Sequence, residues 1–199
     1  MNSLLTDITV LLDRSGSMAS CRNDLLGGLN DFIKTQKEVK TGCKFTLIQF
    51  DSSNINDKVF NAVDIREVSE IVTFNPRGGT PLLDALGLAL RDTGARLRAM
   101  PEHERPGKVI FVVITDGEEN ASREFKKPKI AEMVKEQQDK YSWDFVFLGA
   151  NMDAISEGGS IGVLYANSAT FNVANIGHTI RATSGKLATY RTTSNKTDL

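Results

Sequence analysis

Short, nearly uninterrupted apolar runs alternate along this chain with segments whose apolar residues recur every three or four positions. Ile8-Thr9-Val10-Leu11-Leu12-Asp13, Lys44–Phe50, Lys108–Thr115 and Trp143–Gly149 read as strands covered on both faces, each ending in a polar loop, and Ser168–Val173 is a weaker candidate. Between them Leu25, Leu29, Phe32 and Ile33, then Leu82, Leu86, Ala89, Leu90 and Leu97, then Ile130, Val134 and Tyr141 fall at helical spacing. Strand-helix alternation of this kind builds crossover units, so the expected fold is α/β: a doubly wound, three-layer, Rossmann-like sandwich with a central, mainly parallel sheet. The polar stretch Asp51–Ile65, with its Val59-Phe60 pair, reads as one short antiparallel edge strand or hairpin. Ile176, Ile180, Thr183, Leu187 and Tyr190 place a last helix on the sheet, and Thr192–Leu199 are expected to fray.

Composition narrows the function classes. Lys and Arg number 24 against 25 Asp and Glu, a formal charge of −1 over 199 residues, which leaves no bulk positive charge for nucleic acid. At ~150 residues per domain the whole chain, 1–199, is expected to be one domain with a core over about 5–190. A chain this long buries roughly 70% of its unfolded surface and needs neither disulfides nor a structural metal to fold. The longest apolar runs, Val109–Thr115 and Phe145–Ala150, fall far short of the ~20 residues that cross a bilayer, so no membrane span is expected. Asp7 interrupts the apolar stretch near the N-terminus, which predicts no export signal, a cytoplasmic location, and reduced thiols at Cys21 and Cys43.

In open parallel sheets ligands sit beyond the carboxyl ends of the strands. The first run ends in Asp13-Arg14-Ser15-Gly16-Ser17-Met18, with oxygen-bearing side chains at every second position. The third long run ends in Ile114-Thr115-Asp116-Gly117 and sets a second carboxylate at the same edge. A third loop, Pro76-Arg77-Gly78-Gly79-Thr80-Pro81, has paired glycines for a tight turn that would push the Thr80 hydroxyl inward. Two carboxylates and three hydroxyls sharing a cavity suit a hard divalent cation, which takes oxygen donors and keeps water where the protein supplies none. Without an ion, Asp13 and Asp116 would repel if brought close, and at least one would have its pKa raised by the other. With mostly neutral donors, a bound dication would retain much of its charge and attract an external carboxylate.

Asp-x-Ser-x-Ser, a distant Thr after Gly-Gly, and Thr-Asp-Gly resemble the metal-ion-dependent adhesion site of von Willebrand factor A domains, and the likeness runs over roughly residues 5–190. Carried over residue by residue, the resemblance implies Asp13, Ser15, Ser17, Thr80 and Asp116 as metal residues. The serines and the threonine, or one aspartate, would ligate directly and the other carboxylate through water. It implies Mg²⁺ or Mn²⁺, with Ca²⁺ as an alternative, and a protein partner whose Glu or Asp completes the coordination. It also implies a last helix, here about Asn175–Tyr190, whose movement is linked to ligation. The loops are similar to those of intracellular bacterial and phage members, including tellurite-resistance and chelatase-associated A domains, though the single domain expected over these 199 residues departs from the chelatase pattern, in which the A domain follows a larger ATPase-like region.

Plainer readings stand beside each of these. One has Ser15 and Ser17 only capping helix amides, although a cap would not require all three loops. Glu118 and Glu119 either tune the ion or form a solvated acidic turn, Arg77 either steers an acidic ligand or is a surface arginine, and Met18 either rims the site or packs on the first helix. Other motifs fail: His103 and His178 make no zinc-binding helix, Ile180 spoils the phosphate-loop match at Ser184-Gly185-Lys186, and Lys126-Lys127-Pro128-Lys129 is too short a basic cluster for nucleic acid. The expected function is therefore a metal-dependent protein-interaction module and not an enzyme. A metal-dependent self-assembling homo-oligomer and, last, a metal-assisted hydrolase are the alternatives.

Overall fold

Strand β1 (Asn2–Asp13) lies inside a six-stranded sheet in the computed structural model, which describes residues 1–150, 154–164 and 167–193. The other strands are β2 (Gly42–Asp51), β3 (Asn54–Asp64), β4 (Pro106–Thr115), β5 (Asp144–Ala150) and β6 (Ser168–Phe171), in the spatial order β3-β2-β1-β4-β5-β6. All neighbours pair in parallel except β3, which runs antiparallel to β2 at one edge. That edge strand is eleven residues long, not the short strand expected, and shifts register against β2 three times. One shift accompanies Ala62, held at φ 52° with its amide donating to Thr46 Oγ1. Asparagines and aspartates hid this length, because an edge strand exposes one side and needs no continuous apolar run.

Helices α1 (Arg22–Glu38), α2 (Leu82–Ala99), α3 (Lys127–Tyr141), α4 (Ala154–Ser160) and α5 (Ile176–Thr193) cover both faces. Period-two alternation sorts the strands between two cores. Ile110, Val112 and Ile114 of β4 join Ile8, Val10 and Leu12 beneath α1 and α5. Val109, Phe111 and Val113 turn the other way, against α2, α3 and the aromatics Trp143, Phe145 and Phe147.

Helix α5 is fastened to α1 by direct backbone contact and by buried polar bonds. Where α1 crosses α5, a β-carbon on Gly28 would lie 2.6 Å from the Gly177 Cα, so the backbones touch. Asp24 Oδ2 accepts the Gly177 amide (2.8 Å), Gln36 Nε2 donates to Ser184 O (2.8 Å), and Arg191 Nη1 donates to Gln36 O (2.8 Å). Lys108 Nζ donates to the last carbonyls of α5, those of Tyr190 and Arg191. Polar contacts thus run the whole length of α5.

Helical spacing located the helices but misplaced two faces. Tyr141 is 58% exposed at the end of α3, and on α5 Ser184 is buried where Thr183 was expected, because Ser184 meets Gln36. Thr192 and Thr193 continue α5, whereas 194–199 of the expected frayed tail lie outside the described residues. Helix α4 was not foreseen; its sequence is too short and too rich in glycine and serine to show a stripe. No helix among the described residues is long and apolar enough to cross a membrane.

Candidate metal centre

The strand order reverses between β1 and β4, and the crevice at that reversal is where an open sheet accommodates ligands. Asp13 ends β1 on one side of it and Thr115 ends β4 on the other. The two are joined: Thr115 Oγ1 donates to Asp13 Oδ2 at 2.6 Å, while Asp13 Oδ1 accepts the Ser15 amide at 2.7 Å. Ser15 Oγ lies 3.0 Å from Ser17 Oγ, and Ser17 Oγ donates to Asp116 Oδ1 at 2.7 Å. A β-carbon on Gly117 would lie 3.4 Å from Thr80 Oγ1 and 3.8 Å from Ser17 Oγ, so the third loop reaches the same spot. All five residues read from the sequence meet at one crevice. Asp13, Ser15 and Thr80 are buried at its base, Asp116 is half-buried, and Ser17 is exposed at its mouth.

The loops hold this shape through contacts with each other. Gly16 N donates to Gly78 O, Arg77 N to Arg14 O, and Arg14 N to Phe50 O. Ser52, in the turn between β2 and β3, grips the glycine turn from below: its amide donates to Gly79 O and its Oγ accepts from Gly79 N. Gly78 sits at φ 65°, and any β-carbon there would run into Ser52 Oγ, so both its backbone and its space require glycine. Thr80 is fixed on the other side by Asn120, which accepts the Thr80 amide and donates its own amide to Thr80 O.

Electrostatics set the site apart from the rest of the protein. Burial pushes the Asp13 carboxyl up to about 6, against the hydrogen bonds from Thr115 and Ser15, and the Asp116 charge adds to the rise. Burial raises Asp116 as well, opposed by its bond from Ser17. Among the described residues neither carboxylate has a cationic partner, although Arg14 stands between two of the site residues. Its guanidinium is turned away and engaged by Asp51 (2.8 Å), Asp57 (2.6 Å) and Gln49 (3.1 Å). Two carboxylates and three hydroxyls, with no protein cation among them, fit a hard divalent ion; among the described residues no cluster of three or more His, Cys, Asp or Glu offers another.

Several open readings resolve here. Met18 is fully buried beneath the short 3₁₀ turn Gly16–Cys21 and does not rim the site. Arg77 is half-exposed and pairs with Asp51 at 3.1 Å. Glu118 is exposed, but Glu119 is structural: Oε2 accepts the Leu83 amide at the start of α2, and Oε1 accepts the amides of Ala121 and Ser122. Buried Asp84 receives three more amides, from Arg123, Glu124 and Phe125. The sequence reading missed Thr115, Ser52, Asn120, Glu119 and Asp84 as parts of the site's frame. Thr115 alone carried a signal, standing directly before Asp116 at a strand end. Cys21 and Cys43 are free and buried, with their thiols pushed up to about 11 and about 12 by burial, so neither is a reactive nucleophile.

An open doubly wound sheet with an oxygen-lined crevice at its switch point defines the class. No family model and no curated protein matches the sequence. Solved structures do match in shape. The mussel byssus proximal thread matrix protein 1, with a zinc-occupied metal-ion-dependent adhesion site, superimposes with a TM-score of 0.62 at 16% identity over 89% of this chain and 47% of that one. The von Willebrand factor domain of the type V pili tip protein Mfa5 from Porphyromonas gingivalis gives 0.60 at 11% identity over 98% of both chains. Manganese-loaded TRAP protein from Plasmodium vivax gives 0.52 at 19% identity over 75% of this chain and 58% of that one. The fold is that of a von Willebrand factor A domain, and the chain spans about half the length of the mussel protein it matches.

Proposed function

We propose that this chain is a single metal-dependent protein-interaction module in which Asp13, Ser15, Ser17, Thr80 and Asp116 hold Mg²⁺ or Mn²⁺, and a Glu or Asp of a partner protein completes the coordination. The observation that carries this reading is the pairing of two carboxylates, both raised by burial and without a cationic partner among the described residues, with three hydroxyls in one crevice. Exposure of Ser17 at the mouth supports an approach by the partner from that side. When bound, the ion would supply a Lewis-acidic centre with a coordination position for an external oxygen. The protein's own part is to orient the donors: Thr115 and the Ser15 amide fix Asp13, and Asn120 and Ser52 fix the loop carrying Thr80. The zinc-occupied site of the mussel thread matrix protein, the manganese-loaded Plasmodium protein and the pilus-tip neighbour support binding over catalysis. Free thiols at Cys21 and Cys43 support a reducing, cytoplasmic compartment.

Titration of chelator-stripped protein with Mn²⁺, read by calorimetry, tests the site. One equivalent is expected to bind, with affinity lowered at least tenfold by Ser17→Ala and by Thr80→Val while both variants stay folded. Equal binding by the wild type and both variants would sink the assignment. A peptide bearing a single exposed Glu should bind the wild type in Mn²⁺ and be released by EDTA; binding that ignores the chelator would remove the metal from the recognition step.

A further inference from the structure

At the opposite end of the sheet a second feature goes beyond the interaction module. A groove of about 960 Å³ runs between α2 and α3 down to the start of β4. Its apolar lining comes from Leu90, Leu97, Val109, Phe125, Met133 and Trp143, with Trp143 stacked on Phe111 at 5.5 Å. Gly94 of α2 keeps it wide, since a β-carbon there would meet nothing within 4 Å. Val109 and Thr115 are six residues apart on β4, so ~20 Å separates the floor of this groove at Val109 from the crevice at the end of the strand.

Charge says what the groove suits. Its two carboxylates are both engaged, Glu124 by Arg91 at 3.4 Å and Glu136 by Lys140 at 2.7 Å, and Lys129 is paired with Glu132. Arg98 and Arg105, near the C-terminal end of α2, have no carboxylate partner among the described residues. Arg105 is nevertheless held in place: its Nε donates to Met100 O at 3.0 Å and its Nη2 to Arg98 O at 3.1 Å. One end of an apolar trough thus carries two uncompensated guanidiniums, one already oriented. From Arg98 back to Leu90 is eight residues of helix, ~12 Å, a span matched by a medium-length alkyl chain. The volume lies within the ~300–1,000 Å³ of small-molecule sites.

We propose that this groove binds a free anionic amphiphile, a medium-chain carboxylate whose head sits at Arg98 and Arg105 and whose chain lies along Leu97, Val109, Met133 and Trp143. Guanidinium groups take a carboxylate through paired N–H donors, and the apolar floor removes the alkyl chain from water. A cationic amphiphile of equal length has no acidic counterpart free to receive it.

Trp143 is the single tryptophan of the chain and lies on the groove floor, so its fluorescence reports occupancy directly. Dodecanoate, dodecanol and dodecyltrimethylammonium are titrated below micelle formation into the full chain, with EDTA and with Mg²⁺. A saturable change is expected with dodecanoate, at least tenfold weaker with dodecanol, absent with the cation, and the same in EDTA and Mg²⁺. Arg98→Glu should weaken dodecanoate at least tenfold. Gly94→Leu, which fills open space on a helix, should remove binding while its unfolding midpoint stays at or above that of the wild type. No saturable response to dodecanoate, an equal response to the cationic chain, or undiminished binding by folded Gly94→Leu would each overturn the proposal. So would an acidic amphipathic peptide that binds the wild type and loses Gly94→Leu where dodecanoate fails, which would assign the groove to a partner helix. Arg98→Glu, at an exposed position, keeps the test decisive even if Gly94→Leu does not fold.

Discussion

Asp13→Asn separates what the crevice does for binding from what it does to stability. Burial, with the Asp116 charge, moves the Asp13 carboxyl from its ordinary 3.8 to about 6. A carboxyl raised on folding binds its proton more tightly in the folded protein than in the unfolded chain. Below pH 3.8 it therefore carries no penalty, the penalty grows as pH rises from 3.8 to about 6, and above that it is constant. The gap of about 2 pH units, at ~1.36 kcal/mol each, puts that penalty near ~3 kcal/mol. Asparagine is neutral and of the same shape: its oxygen can keep the Ser15 amide, and its amide can donate to Thr115 Oγ1, whose hydrogen then goes to Gly117 O, 3.0 Å away. In EDTA at pH 8 the variant is expected to be more stable than the wild type by ~2–3 kcal/mol, or roughly 4–12 °C in midpoint for a chain this long. The two should converge near pH 4. Saturation at ~100 times the dissociation constant with Mg²⁺ should add ~2.7 kcal/mol to the wild type alone and close or reverse the gap. Calorimetric scans from pH 4 to pH 8 in EDTA and in Mg²⁺ check all three. A variant less stable than the wild type in EDTA at pH 8 would refute the account of Asp13 as a buried, uncompensated charge.

Glu119→Ala leaves three amides around the start of α2 without their acceptor, so a loss of ~1–3 kcal/mol in urea and a weaker Mn²⁺ titration are expected together. Unchanged metal affinity in the folded variant would show that the Glu119 turn does not frame the site. Gly28→Ala and Gly94→Ala sit on helices yet should move oppositely in the same denaturant assay. The first forces α1 off Gly177 and costs ~1–3 kcal/mol or more, while the second gains up to ~1 kcal/mol in open space. Tyr190→Phe removes a buried 2.7 Å bond to Asp144 and should cost ~1–3 kcal/mol at pH 8. Burial and Asp144 raise the Tyr190 phenol, so the folded state holds this proton more tightly and the wild type should lose stability as pH climbs above 10. That alkaline loss should be smaller in Tyr190→Phe, as unfolding followed from pH 8 to pH 11 would show.

Much of the fold was legible because both periods come from burial. Strands with helices on both faces give unbroken apolar runs, as in Lys108–Thr115, and amphipathic helices give stripes such as Leu82 to Leu97. Elements outside that logic were harder to read. The antiparallel β3 strand and the short α4 bury too little to impose a pattern, and the exchange of Thr183 for Ser184 depends on Gln36, 148 residues away in the chain. Nothing local to α5 shows that partner.

The same divide runs through the candidate metal centre. Asp13, Ser15 and Ser17 were readable because alternate residues at a strand end project to one side, and Thr80 and Asp116 because glycines and a strand end mark their loops. The frame was not, since its bonds join distant segments: Thr115 to Asp13 across 102 residues, Thr80 to Asn120 across 40, and Arg14 to Asp51 across 37. That frame also explains the electrostatics. Acidic residues around the crevice spend their acceptors on backbone amides, Glu119 and Asp84 on the 121–125 loop and Asp51 on Ser53 and Asn54, while Arg14 and Arg77 are both drawn to Asp51. Arg14 and Arg77 are thereby committed to Asp51, and among the described residues Asp13 and Asp116 are left without a cationic partner. The buried charge that Asp13→Asn should remove, costly first through lost hydration and then through Asp116, is therefore also a charge that an incoming cation would meet.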